Sequence, residues 1–345
     1  MPAGFPFSAS VLAPLEGLTT PDLRDLIASY GPVGLVCTEF VRVFQRPGQK
    51  RLRDVVRRSA SAALSVQLMG NDPEWMAEAT RRLASAGADV VDINLGCPTR
   101  RAIRGNVGAG LLRDPDLLRR VLDAMRRSTS GILSAKIRAG FDDAQTTFAL
   151  ARTVEAAGVD FVTVHPRRGV DLYSGVADWR LVAALKQTLS IPVVGNGDLW
   201  YAADALRLQR ESGCDAVMIG RPAIRNPWIF RQLSELRRGV EPFRPAGVDL
   251  VAHVERLAES LARALAPERH PGALKEHLCY LSRALPRGGE LRQRVLPLET
   301  IEAILAAWRR EIVRLSASEL DLTAAPQQAL ERVPRLDLPS APSAP

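Results

Sequence analysis

Cys97 sits in Asp92-Ile93-Asn94-Leu95-Gly96-Cys97-Pro98, a thiol held between glycine and proline just past a short β-rich run. Most free cysteines end as small buried hydrophobes. Cys37, Cys214 and Cys279, each inside an apolar stretch, fit that fate, and Cys97 does not. A thiol with an ordinary pKa of about 8.5 is largely protonated at neutral pH and can act as a general acid. Lowered by neighbouring cations, the same thiol would be a nucleophile, so both chemistries stay open on the residues alone. Lys136 is the second unusual group. The chain carries 46 Lys and Arg, of which only Lys50, Lys136, Lys186 and Lys275 are lysines. A lysine at a strand end in so arginine-biased a chain points to a need for a compact ammonium, against the plainer alternative of pairing with a nearby carboxylate.

The elements that must position these groups are legible as short β-rich stretches: Val11–Pro14, Gly34–Thr38, Leu64–Leu68, Val90–Asn94, Leu133–Ile137, Phe161–His165, Pro192–Gly195 and Ala216–Gly220. Between them run amphipathic segments of helical period, including Pro73–Ala86, Ala144–Ala157 and Tyr201–Glu211. Gly87, Gly158 and Gly213 follow helices and predict left-handed C-caps. Eight βα units over this length predict a (β/α)8 barrel. A doubly wound sheet would place a glycine-rich loop after its first strand, where this chain has Pro14-Leu15-Glu16-Gly17. Val248–Leu265, Gly272–Ala284 and Leu298–Leu315 read as helices without intervening strands. The expected organisation is a barrel over residues 1–238, a helical-bundle domain over 248–318 joined by Gly239–Gly247, and a disordered Pro/Ala/Ser-rich tail over 324–345.

Catalytic groups of such barrels lie at the C-terminal strand ends. Those positions hold Glu16, Glu39, Gln67, Asn94, Cys97, Lys136, Arg138, His165, Asn196, Asp198 and Gly220-Arg221, polar or glycine at every strand. Unpaired charges there would cost free energy in a purely structural barrel. Gln67 has a plain alternative as a tie between strands, His165 as a satisfied histidine, and Asn196-Gly197-Asp198 as a turn. Gly220-Arg221, after the eighth strand, falls where this fold holds phosphate, so a phosphorylated ligand is expected.

The four cysteines lack CxxC spacing, which excludes a disulfide framework and a zinc site; no metal is expected. No apolar run nears the roughly 18 residues a membrane span needs. The first ten residues make a poor signal peptide, so a cytoplasmic protein acting as a monomer is expected. A net charge of +8 suits a polyanionic partner, although arginine bias alone could produce it.

In order along the chain, Ala13-Pro14-Leu15-Glu16-Gly17, Gln67-Leu68-Met69-Gly70, Asp92–Pro98, Lys136-Ile137-Arg138-Ala139-Gly140, His165, Asp178-Trp179, Asn196-Gly197-Asp198 and Met218–Arg221 resemble the motifs of the tRNA-dihydrouridine synthases. The resemblance runs from about Val11 to Trp228 and weakly into Leu274–Leu281. Thr38–Val43 with Glu16 is similar to the bacterial branch acting on uridine 16 of the D-loop. Arg100 replaces the family's usual lysine after the cysteine, Leu15 its methionine, and Ala273 the branch's basic residue. The resemblance implies FMN reduced by NADPH or NADH, hydride delivery from flavin N5 to uracil C6, and a proton from Cys97 to C5. By the same resemblance Pro14, Leu15, Glu16 and Gln67 contact the isoalloxazine, with Lys136 at its N1–O2 edge. Asn196, Gly197, Asp198, Gly220 and Arg221 enclose the phosphate beside His165. Asn94, Arg138 and Tyr173 hold the extruded uracil, and Arg42, Arg100 and Lys275 meet the RNA backbone. Two other readings share some of these residues: a dihydroorotate dehydrogenase-like flavoenzyme acting on a free pyrimidine or enone, and a non-catalytic tRNA-binding protein.

Overall fold

The computed structural model describes residues 4–45, 52, 55–57 and 62–323; the expected tail over 324–345 lies outside the described residues. Eight parallel strands form the barrel: β1 Ser10–Leu12, β2 Leu35–Cys37, β3 Ala63–Met69, β4 Val90–Leu95, β5 Ile132–Arg138, β6 Phe161–His165, β7 Val193–Asn196 and β8 Ala216–Ile219. Each pairs in parallel with the next, and β1 pairs with both β2 and β8, which closes the ring. All eight lie within a residue or two of the expected stretches. A two-residue strand, Val41–Arg42, was not expected and pairs with the far end of β3.

The period-two alternation of a strand divides the barrel residues into two sets. One set faces the helices, with Leu12, Val66, Ile93, Ala135 and Val164 in the large outer core. The other faces the barrel axis. At the N-terminal end it is apolar, with Val11, Leu35, Val90, Phe161, Val194 and Ala216 forming a separate cluster packed by Phe5 and Phe7. The Phe5 ring meets the Phe161 ring edge-on at 5.2 Å and plugs that end. Higher on the same strands the inward residues turn polar: Gln67, Asp92, Asn94, Ser134, Thr163, His165 and Asn196 are all buried. The sequence therefore builds a closed floor and a polar mouth.

Helices Pro73–Ser85, Thr146–Ala156 and Ala202–Ser212 follow their strands. Asp72 caps the first, its side chain accepting the Trp75 N–H. Gly87, Gly158 and Gly213 take positive φ angles of 94°, 79° and 69°, as the helix–glycine–strand spacing predicts. After the barrel come helices Gly247–Ala264, His270–Leu281, Gly288–Val295 and Ile301–Ile312. The third was missed because Gly288-Gly289 opens it, a poor start by propensity. Among the described residues no helix is long and apolar enough to cross a membrane.

The helices dock on the barrel through aromatic and polar contacts. The Tyr30 hydroxyl lies 3.0 Å from His253 Nδ1, and its ring is 5.2 Å from that of Trp228. Tyr201 donates to Asp321 at 2.6 Å, and Asn226 Nδ2 donates to the Leu322 carbonyl at 2.8 Å. The Glu276 carboxylate approaches Gly17 closely enough that a Cβ there would lie 3.8 Å away. Helix His270–Leu281 thus borders the barrel mouth beside the loop after β1.

Burial holds His253 and His277 neutral, with pKa values lowered to about 3 and about 4. In the unfolded chain both take up a proton below about pH 6.5. Folding is therefore unpenalised above that pH, and each histidine costs up to about 1.4 kcal/mol per pH unit as pH falls toward its folded value. Thermal melts from pH 7.5 to 5 are expected to show this loss. His277→Leu should make the fall shallower by one proton's worth, and an unchanged slope in that variant would contradict the assignment.

Candidate active site

Twelve of the residues expected at the site line one cleft at the C-terminal mouth of the barrel: Pro14, Leu15, Asn94, Lys136, Arg138, His165, Tyr173, Asn196, Gly197, Asp198, Gly220 and Arg221. The cleft encloses about 830 Å³, part of it continuous with solvent. Ala13, Gly96, Leu199, Trp200, Met218 and Pro222 complete its wall. Of these, Trp200 is the one with chemistry of its own.

Two cations of the cleft, Lys136 and Arg221, have no carboxylate salt-bridge partner among the described residues. The Lys136 ammonium makes no hydrogen bond to any described residue; desolvation, and then Arg138, lower its pKa to about 8. Arg221 has no carboxylate partner among the described residues, and its guanidinium lies 4.3 Å from the Tyr173 ring centroid and 5.7 Å from that of Trp200. Cation–π contacts of this kind hold a guanidinium in place while leaving its N–H groups free for an anion. His165 is buried, and desolvation with four nearby cations drives its pKa well below the ordinary value. Its Nδ1 is buried without a hydrogen-bond partner. A neutral imidazole is therefore the form present at physiological pH.

Three loops are tied to one another by arginines. Arg138 donates from Nε to the Gly96 carbonyl at 2.9 Å, and from Nη1 to the Arg168 and Leu172 carbonyls at 2.9 and 2.7 Å. Arg138 itself lines the cleft, and its Nη2 has no hydrogen bond to a described residue. Arg167, which sequence reasoning overlooked, pairs with Asp198 through Nη2 alone, which meets the two carboxylate oxygens at 2.7 and 3.0 Å. It also donates to the Ser174 and Gly175 carbonyls. The pair is nearly fully buried, and Asp198 further accepts the Ala177 N–H at 2.7 Å. Asp198 is thus neutralised and committed to the loop, so its carboxylate does not repel an anion in the cleft. Gly197, at φ +113°, brings the backbone against His165; a Cβ there would stand 3.2 Å from Nε2.

Six expected residues lie off the cleft wall. Cys97 is partly exposed and adjoins the lining residue Gly96, with Sγ 3.4 Å from the Thr99 hydroxyl. Gly108, at φ +58°, packs on it so closely that a Cβ would lie 2.8 Å from the Cys97 carbonyl oxygen. Gln67 is fully buried below Asn94. Its Oε1 accepts from Asn94 Nδ2 at 2.7 Å, and its Nε2 donates to Asp92 Oδ2 at 2.6 Å. Glu16 and Arg42 pair at 2.7 Å at the rim. Arg100 opens the short helix Arg100–Arg104 directly after the cysteine loop. Lys275 lies on helix His270–Leu281, next to the Glu276 that reaches Gly17.

Asp92 and Ser134 were legible only in part, and Arg167 was not legible at all. Asp92 stands two residues before Asn94 and so shares its inward face, and strand register sets it beside Gln67 and Ser134. Burial raises its pKa to about 6. Nothing in the local sequence around Arg167 marks it, since its partner Asp198 lies on a separate loop.

A family model described as dihydrouridine synthase matches residues 11–312. The "tRNA-dihydrouridine(16) synthase" of Aquipseudomonas alcaligenes is 32% identical over 309 residues, covering 86% of this chain and 98% of that protein. The "tRNA-dihydrouridine synthase B" of Pseudomonas aeruginosa is 34% identical over 306 residues, covering 87% and 91%. A "probable tRNA-dihydrouridine synthase" of Rhizobium leguminosarum bv. phaseoli is 36% identical over 285 residues, covering 80% and 86%. With a closed (β/α)8 barrel, a cationic cleft at its mouth and a family match across nearly all of the described chain, this protein belongs to the dihydrouridine synthase family.

Proposed function

We propose that this chain reduces uridine to 5,6-dihydrouridine in the D-loop of tRNA, at position 16, with FMN as resident cofactor and NADPH or NADH as reductant. The observation that carries the reading is the company Cys97 keeps. A lone thiol stands at the rim of a cleft whose Lys136 and Arg221 have no carboxylate partner among the described residues and whose His165 is a buried neutral imidazole.

Those residues fit a flavin mononucleotide. Free N–H groups of Arg221 and the backbone around Gly197 and Gly220 suit a phosphate. The unpaired Lys136 ammonium suits the electron-rich edge of an isoalloxazine, and the orphaned His165 Nδ1 offers one more polar contact. Pro14 and Leu15 supply apolar wall. When bound and reduced, the flavin supplies hydride to C6 of the uracil ring.

The chain's own residues supply the rest. Hydride addition at C6 pushes electron density through C5 onto the C4 carbonyl, so C5 must receive a proton. The Cys97 thiol donates it as general acid. Arg138, the Tyr173 ring and the one Nδ2 hydrogen that Asn94 does not give to Gln67 would hold the base, which must leave its stack to enter the cleft. Asn196 donates from Nδ2 to the Met218 carbonyl at 2.7 Å, which stiffens the wall between β7 and β8. Arg100, Arg101 and Arg104 are exposed and have no acidic partner among the described residues, and with Lys275 they offer a phosphate-binding rim. The Glu16–Arg42 pair joins the two stretches on which the position-16 assignment rests. Helices 247–312 act as the tRNA-binding domain.

Cys97→Ala is expected to retain flavin and its reduction by NADPH while losing about 10²–10⁴ in turnover on tRNA; near-normal turnover would sink the proton-donor role. Arg221→Leu should purify with much less flavin absorbance than wild type, and full retention would remove the phosphate assignment. Binding of tRNA should weaken steeply with salt. Arg101→Ala with Arg104→Ala should flatten the plot of log K against log salt by about 0.7–0.9 for each RNA phosphate that the variant leaves unneutralised; an unchanged slope would place the RNA elsewhere. Mapping dihydrouridine in tRNA from a strain lacking the protein decides the position, since loss at a site other than 16 would move the assignment. Turnover of free uracil or orotate without tRNA would favour a small-molecule flavoenzyme instead.

A further inference from the structure

The reading above leaves Asp92 without a part, although a carboxyl group in the barrel interior is costly to keep. We propose that Asp92 is the positioning residue for Cys97, acting through Gln67 and Asn94 along a hydrogen-bond chain whose direction is fixed at both ends. The inference rests on the proposed role of Cys97 as proton donor.

At one end stand two groups that can only donate, the backbone N–H groups of Gly96 and Cys97. They meet the Asn94 side chain at 3.0 and 2.8 Å, so the atom they meet is its oxygen. That turns Asn94 Nδ2 toward Gln67, whose Oε1 accepts it at 2.7 Å. Gln67 Nε2 then points to Asp92 and donates to Oδ2 at 2.6 Å. An ionised carboxylate only accepts, so it terminates the chain; its other oxygen takes the Ser134 hydroxyl at 2.6 Å. Reversing either amide would set donor against donor. All four side chains are at least nine-tenths buried, so water cannot repair such a clash.

The remaining fastenings of the loop are independent of Asp92, among them the Arg138 Nε–H donated to the Gly96 carbonyl at 2.9 Å. Ala109 N–H donates to the Cys97 carbonyl at 3.0 Å, and Gly108 packs against the same peptide. The cysteine is thus pinned at its N–H by Asn94 and at its carbonyl by Ala109. Only the first pin depends on an amide that could rotate, and Asp92 sets that rotation. Local packing could have satisfied Gln67 with a backbone carbonyl. A carboxylate makes the stronger, charge-assisted bond and leaves no ambiguity about which Gln67 atom faces it.

Asp92→Asn keeps the size of the side chain but offers a single oxygen to two donors. The test uses the flavin-loaded enzyme and follows flavin reduction by NADPH separately from reoxidation by tRNA. Alkylation of Cys97 by iodoacetamide is followed in parallel by peptide mass spectrometry. Reoxidation is expected to slow about 10- to 100-fold, the scale of a misplaced catalytic group, while reduction stays within about twofold. Cys97 alkylation should rise several-fold as the loop loosens. Ser134→Ala, which removes one donor but leaves Gln67 its acceptor, should shift both readouts the same way by less. It also keeps the proposal testable if Asp92→Asn folds poorly. Equal slowing of the two half-reactions, or an unchanged alkylation rate in both variants, overturns the proposal. Failure of the wild-type enzyme to be reoxidised by tRNA would instead remove the proposed function, and the alkylation comparison would still decide whether Asp92 positions Cys97.

Discussion

Closure of the sheet by the pairing of β8 with β1, Ser10 with Val217 and Leu12 with Ile219, is the constraint on which the rest of the molecule depends. An open sheet of the same strands would leave its inward faces splayed and its polar ends in water. Once the ring is closed, every second residue of each strand must point to the axis, and every C-terminal strand end opens on the same mouth. The apolar floor of Val11, Leu35, Val90, Phe161, Val194 and Ala216 fills the narrow interior and excludes water from below. The polar residues one and two layers up are then held over a low-dielectric base. There each unsatisfied group is expensive and each satisfied one is rigid.

That setting explains the division of labour among the cations. Arg138 and Arg167 direct most of their donors to carbonyls and to Asp198, and so fix the loops after β4, β6 and β7 to one another. Lys136 and Arg221 are left with no acidic partner among the described residues, one desolvated on a strand, the other held by two aromatic rings. Structural arginines and free cations stand side by side, and their separate uses follow from which carbonyls and carboxylates lie in reach. His165, crowded by four cations, stays uncharged and adds no further positive charge.

The cysteine loop shows the same economy. Asn94 reaches forward to the N–H groups of Gly96 and Cys97 and back to Gln67, so one side chain couples a strand end to the loop it launches. Helix His270–Leu281 meets the loop after β1 at Gly17 through Glu276, while every residue lining the cleft belongs to the barrel strands and the segments that follow them.

The barrel and most of its mouth were legible in the sequence because both rest on local rules. Strands end where β-rich runs meet Gly, Pro or polar residues, glycines at Gly87, Gly158 and Gly213 mark helix ends, and the residue just past each strand must lie at the mouth. Lys136, His165, Asn196 and Arg221 were placed by that reasoning alone, and the structure sets them in one cleft. What the sequence did not contain was pairing. Gln67 belongs to the inward face as expected, yet lies fully buried beneath Asn94 because register puts Asp92 beside it. Arg167 and Asp198 are 31 residues apart, and only the approach of two loops makes them an ion pair. Whether a polar strand-end residue faces the cleft or is consumed below it depends on which neighbours the closed ring brings within hydrogen-bond reach, and that distance is a property of the tertiary structure alone.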